Sequence, residues 1–343
     1  MKRKLVMGVS LLMSVAMLAG CGSKTPAGDD TAAGDGAVKT GLGVITTINH
    51  SKDAAADAAG VAEAYTMFAA VTVDAEGKIV EAIVDGIQPK AEFDTAGVIT
   101  TDLASTFDSK LVAKDGYGMK SASGIGKEWY EQSQAFSDYV KGKTIEEVKA
   151  IPVDAEGTAT GDDLKSSVTI TATALMDVVV KAMENAQDMG ATSADKLGVS
   201  AEATIAKSKP ATAEEEGVVE GYANIVAATF DADGKVTSAI IDAAQTKINF
   251  DTTGKITSDI TATYPTKVEI GDDYGMKSAS GIGKEWYEQV KALADYFVGK
   301  TVAEIKAIPL TDGAPSGDDL KTSVTIGVAS QLALLENAFN TAK

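Results

Sequence analysis

The chain has 343 residues, 45% of them hydrophobic and 23% charged, with a formal net charge of −18. That composition supplies a core, which excludes a disordered polymer, and its surplus of carboxylates disfavours nucleic acid or a bare anionic membrane as partner. One cysteine, Cys21, excludes an internal disulfide, a c-type haem and a Cys-ligated metal cluster.

Lys2, Arg3 and Lys4 precede an apolar stretch, Leu5 to Met17, closed by Leu18-Ala19-Gly20-Cys21. The stretch is short for a membrane span and reads as a secretory signal. Its ending resembles a bacterial lipobox, in which cleavage leaves Cys21 as a lipidated N-terminus. Two or more acyl chains, at about 0.8 kcal/mol per buried CH2, would hold the chain on the extracytoplasmic face of the cell membrane. Residues 22–39 are mostly Gly, Ala, Asp, Thr and Pro and read as a flexible tether.

From there the chain repeats itself. Tyr117 to Gln132 and Tyr274 to Gln289 are both YGMKSASGIGKEWYEQ, and the flanks match more loosely, as in GDDLKSSVTI from Gly161 and GDDLKTSVTI from Gly317. The repeat predicts two tandem homologous domains, residues 40–190 and 197–343. In each, a near-alternating apolar run (Val61 to Val73, Gly217 to Phe230) meets an Asp-x-x-Gly turn and a return strand (Lys78 to Val84, Lys235 to Ile241), which is a hairpin. Helices are expected over Lys127 to Val140, over Thr144 to Ala150 and Thr301 to Ala307, and from Thr169 toward Ala186 and Thr325 toward Ala342. Strands first and helices after predict an α+β fold in which an antiparallel sheet packs with helices.

Asp163-Leu164-Lys165-Ser166-Ser167-Val168-Thr169 and Asp319-Leu320-Lys321-Thr322-Ser323-Val324-Thr325 precede the last helix of each half. Hydroxyls at a helix start serve as caps, and the unpaired N–H groups there also favour an anion. Asp-x-x-Ser/Thr-x-x-Thr before a C-terminal helix resembles the flavinylation motif of the FMN-binding domain family, which includes the NqrC and RnfG subunits of membrane electron-transport complexes. With two copies and a lipobox, the chain is similar to tandem flavolipoproteins of extracellular electron transfer. The resemblance implies two FMN groups, joined by phosphoesters to Thr169 and Thr325 by an FAD:protein FMN transferase. It places Ser166, Ser167 and Val168, and Thr322, Ser323 and Val324, beside them. The commoner family motif has Gly-Ala where this chain has Ser-Val. The implied function is an electron carrier, more than an enzyme with its own substrate site. It would take electrons from a membrane quinone-linked reductase and pass them to external acceptors such as ferric iron.

Within the identical segment, Met119, Lys120 and Ser121, with Met276, Lys277 and Ser278, are candidate flavin contacts, because a Ser- and Gly-rich loop allows close approach. Packing is the alternative for the methionines and simple surface exposure for the lysines. Trp129, Tyr130, Trp286 and Tyr287 are either core or flavin contacts. No Walker A loop is present, since Ser121 stands where its first Gly is required and Glu128 where Ser or Thr is. His50, the only histidine, lacks a counterpart histidine and reads as a surface residue. The competing function is a non-redox tandem-repeat binding lipoprotein, an adhesin or solute binder. A terminal reductase ranks lower, because no GxGxxG turn and no further domain are found.

Overall fold

The structure is a computed structural model that describes residues 36–343. Cys21, the signal segment and tether residues 22–35 lie outside the described residues. Residues 37–39, read as tether, belong instead to a strand, Ala37–Thr47, whose alternate residues Val38, Leu42 and Val44 are buried.

The described residues are mixed α/β, with antiparallel sheets and nine α-helices. One sheet runs in the order Thr263–Tyr264, Ala37–Thr47, Tyr65–Val73, Ile79–Ile87, and Gln187–Thr192 also pairs with Ala37–Thr47. The other runs Val236–Phe250, Gly217–Phe230, Lys196–Thr204, Thr106–Asp108. Each sheet thus takes its edge strand from the other half of the chain. Thr106 pairs with Thr204, and Tyr264 with Thr46. Both hairpins form where the alternation places them, though the return strands run on to Ile87 and Phe250. In the first half Pro89 lacks the N–H that a ladder needs, and the strands break into Gly60–Glu63 and Lys90–Phe93 beyond it. The second half has Thr246 at that position and its strands continue unbroken.

The sheets face one another. Leu42, Phe68 and Ile83 of the first meet Leu197, Val199 and Ile225 of the second in one buried cluster. Helices cover the two outer faces, with Ala172–Glu184 and Trp129–Val140 on the first sheet and Ala329–Thr341 and Trp286–Phe297 on the second. The result is four layers, helix–sheet–sheet–helix, with the shared core in the middle. The last helices lie close on their sheets because Gly41 and Gly198 carry no Cβ. One added there would fall on the carbonyl of Ala182 or Ala338.

At one end of the sandwich Phe93 and Phe250 stack with ring centroids 4.2 Å apart and planes 14° apart. Flanking loops join across the same seam, Ala54 N–H donating to the Gly254 carbonyl (2.7 Å) and Ala211 N–H to that of Gly97 (2.9 Å).

The helix expected from Lys127 is Trp129–Val140, and the short ones are Ile145–Lys149 and Val302–Lys306. The last helices begin at Ala172 and Ala329, later than expected. Thr169 and Thr325 sit on a turn before them. Their N–H groups bond to a side chain, and no helical ladder forms there.

Candidate functional site

The turn that carries each candidate threonine is built around one buried glutamine. Gln132, on the inward face of Trp129–Val140, accepts three hydrogen bonds at Oε1, from Thr169 N–H (2.7 Å), Thr169 Oγ1–H (3.1 Å) and Ile170 N–H (3.1 Å). Its Nε2 donates to Ser123 Oγ (3.1 Å) and to the Lys127 carbonyl (3.2 Å). Gln289 repeats the pattern with Thr325 N–H (2.8 Å), Thr325 Oγ1–H (3.2 Å), Ile326 N–H (3.3 Å), Ser280 and Lys284. The glutamine therefore fastens the threonine turn to the serine–glycine loop of the identical segment. Glu128 closes the other end of that loop, accepting from Met119 N–H (2.8 Å) and Lys120 N–H (2.9 Å), and Glu285 does so in the second half.

Gln132→Ala would leave two backbone N–H groups and the Thr169 hydroxyl without their acceptor. A loss of about 3 kcal/mol in chemical unfolding is expected. Gln132→Glu, which keeps the acceptor oxygens, should recover part of it.

Thr169 is half-buried and Thr325 exposed, and the hydroxyl of each donates to its buried glutamine. Ser166 and Thr322 are exposed, and Ser167 and Ser323 half-buried. Val168 and Val324 are fully buried, so they offer the motif's surroundings backbone only. Lys120, Ser121, Lys277 and Ser278 are exposed on the loop, while Met119 and Met276 pack against the core of their own half. Gly124, Gly126, Gly281 and Gly283 face open space. Asp319 accepts from Tyr296 OH (2.8 Å), which ties the motif's leading acid to the same helix.

The residues fit an FMN phosphoester. Each threonine is at least partly exposed, further hydroxyls stand two and three residues before it, and the glycines of the loop beside it face open space. The anion would not be held by the threonine's own N–H, which the glutamine already engages.

The other half of the identical segment builds something that the sequence reading missed. Lys110, 5% exposed, donates through Nζ to Tyr65 OH (2.9 Å) and lies over the rings of Tyr65, Tyr117 and Trp129 at 4.3, 4.6 and 4.9 Å. Lys267 does the same with Tyr222 OH (2.9 Å) and the rings of Tyr222, Tyr274 and Trp286 at 4.5, 4.7 and 4.9 Å. Cation–π attraction is strongest for a desolvated cation. Trp129 and Trp286 are therefore core residues whose faces hold a lysine. Beside each cage a buried carboxyl, Asp85 or Asp242, accepts from backbone N–H groups, and burial pushes them up to about 7 and about 6. His50 is exposed, as expected, and has partners. Its Nδ1 lies 2.9 Å from Glu63 Oε1 and its ring stacks on Tyr65.

Burial lowers Lys110 from 10.5 to about 7 and Lys267 to about 8. A lowered cation contributes stability that is complete above its unfolded value and is lost as pH falls through the folded one. The Tm of Lys110→Met relative to the native chain should therefore rise as pH falls from about 10 to about 7. A relative Tm that stays level or falls over that range would contradict the desolvated cage.

Among the described residues no helix is long and apolar enough to cross a membrane. A stretch of 43 residues, 12% of the chain, is 54% identical to a chlorophenol reductase from Desulfitobacterium hafniense and spans 13% of that protein. No family model and no solved structure matches.

Proposed function

We propose that this protein is a lipid-anchored extracytoplasmic electron carrier, built of two FMN-binding-type halves, with FMN joined through phosphoesters to Thr169 and Thr325. The observation that carries the reading is the duplicated turn. Two threonine hydroxyls, at the positions that match the flavinylation motif's last residue, are each braced by the equivalent glutamine and loop of their own half. FMN supplies one- and two-electron redox chemistry when bound, and the protein supplies position. Gln132 and Gln289 fix the attachment turns, Ser166 and Thr322 offer hydroxyls to the phosphate, and Lys120 and Lys277 bring positive charge to a chain of net charge −18. The loops of Gly124 and Gly281 leave the ring's approach open to an external acceptor. The tether and Cys21 would hold the carrier near a membrane quinone-linked reductase.

The matched relative is named a reductase of chlorophenol, and the match reaches only 13% of it, so its substrate is not carried over. The test is the chain co-expressed with an FAD:protein FMN transferase and run on a denaturing gel. A fluorescent band is expected, because an ester-linked flavin survives denaturation. A dark band from a transferase-positive host would favour the non-redox binding lipoprotein.

A further inference from the structure

A cavity of about 710 Å³ opens between the two halves, on the far side of the Trp286–Phe297 helix from its buried Gln289. Leu42 and Val44 of the first half line it together with Ile240, Val290 and Ala294 of the second. Volume and apolar lining are those of a small-molecule site.

The polar part of the wall is one-sided. Lys181 Nζ donates to the Val44 carbonyl (2.6 Å) and pairs with Glu269. Lys291 Nζ is engaged by both carboxylate oxygens of Asp295 (2.9 and 2.7 Å). Asn185 Nδ2 donates to the Leu42 carbonyl (3.0 Å), and Tyr287 OH to Asp272 (3.1 Å). These donors are already committed to the protein. Acceptors are in surplus. Asp188, exposed, takes one backbone N–H, from Gly190 (3.2 Å), while Asp242, buried at the cavity's base, is held by two backbone donors at Oδ1 and by the Thr266 side chain. Asp188 and Asp242 leave the wall with two more carboxylates than ammonium groups. Such a site rejects an anion and rewards a ligand that brings positive charge and N–H donors.

We propose that this cleft binds a small molecule with an apolar, ring-sized body and a protonated amine, the body against Leu42, Ile240 and Ala294 and the amine toward Asp188 and Asp242. The site needs neither Thr169 nor Thr325, so it stands apart from the carrier reading.

Isothermal titration of the full chain with tryptamine tests it. Saturable binding at one site is expected, with indole-3-propionate, an indole that carries a carboxylate, at least about tenfold weaker. Asp188→Asn should weaken tryptamine about tenfold, and Ala294→Leu, which narrows the cleft, should abolish binding. Ala294 also packs in the core, so exposed Asp188 decides the matter if Ala294→Leu does not fold. Absence of saturable tryptamine binding, equal binding of the propionate, or an Asp188→Asn variant that binds as the native chain does would overturn the proposal. So would a dimer in sedimentation that buries the cleft and ignores the amine.

Discussion

Thr169→Ala and Thr325→Ala should each remove one flavin adduct from the intact mass of protein co-expressed with the transferase, and the double variant should be colourless. The effect is all-or-none at each site, because alanine has no oxygen to esterify. It should also be local. Thr169 Oγ1 is the third donor to Gln132, and two backbone donors remain when it is gone. The variants should therefore fold with little loss, which separates lost attachment from lost structure. Thr169→Ser keeps the nucleophilic oxygen and should retain some adduct. If Thr169→Ala keeps both adducts, the attachment residue is another hydroxyl, and exposed Ser166 is the neighbour to examine.

Phe93→Ala should cost about 3–5 kcal/mol, the range for truncating a fully buried phenylalanine. Its ring stacks on Phe250 from the other half and also lies where a Cβ on Gly60 would fall, so little around it can collapse into the space. The two halves should still melt together. Thermal unfolding followed at Trp129 and at Trp286, each studied with the other replaced by Phe, should give coincident transitions. Separate transitions would mean that the seam holds little energy.

Where apolar residues alternate or recur at helical spacing, sequence and structure agree. Tyr65–Val73 and its hairpin partner, and the helix after Glu128, lie close to where the pattern places them. The exchanged edge strands did not show, because Thr106–Asp108 and Thr263–Tyr264 are short and mostly exposed, with no buried face to impose a period. The late start of the last helices turns on a side-chain acceptor, Gln132 or Gln289, from a distant helix, which no local pattern reveals. Yet that glutamine closes the stretch repeated without change, and a buried brace at each end of the stretch explains why its residue types are demanding. The caged lysines were legible in another way. Lys110 and Lys267, Tyr65 and Tyr222, and Asp85 and Asp242 all recur 157 residues apart, the same interval as Tyr117 and Tyr274. Comparing the halves position by position would have picked them out of their looser flanks. It would also have set Lys207 opposite His50, the place where the two clusters differ in charge chemistry.

Because each sheet borrows its outermost strand from the opposite copy, the joint between the copies is not a hinge. Gln187–Thr192 stays paired to Ala37–Thr47 and leads through Ser193 to Asp195 into Lys196–Thr204. The span between Thr169 and Thr325 is then set by paired strands rather than by a linker. Any traffic of charge from one hydroxyl position to the other would run at a rate set by that span rather than by segmental motion.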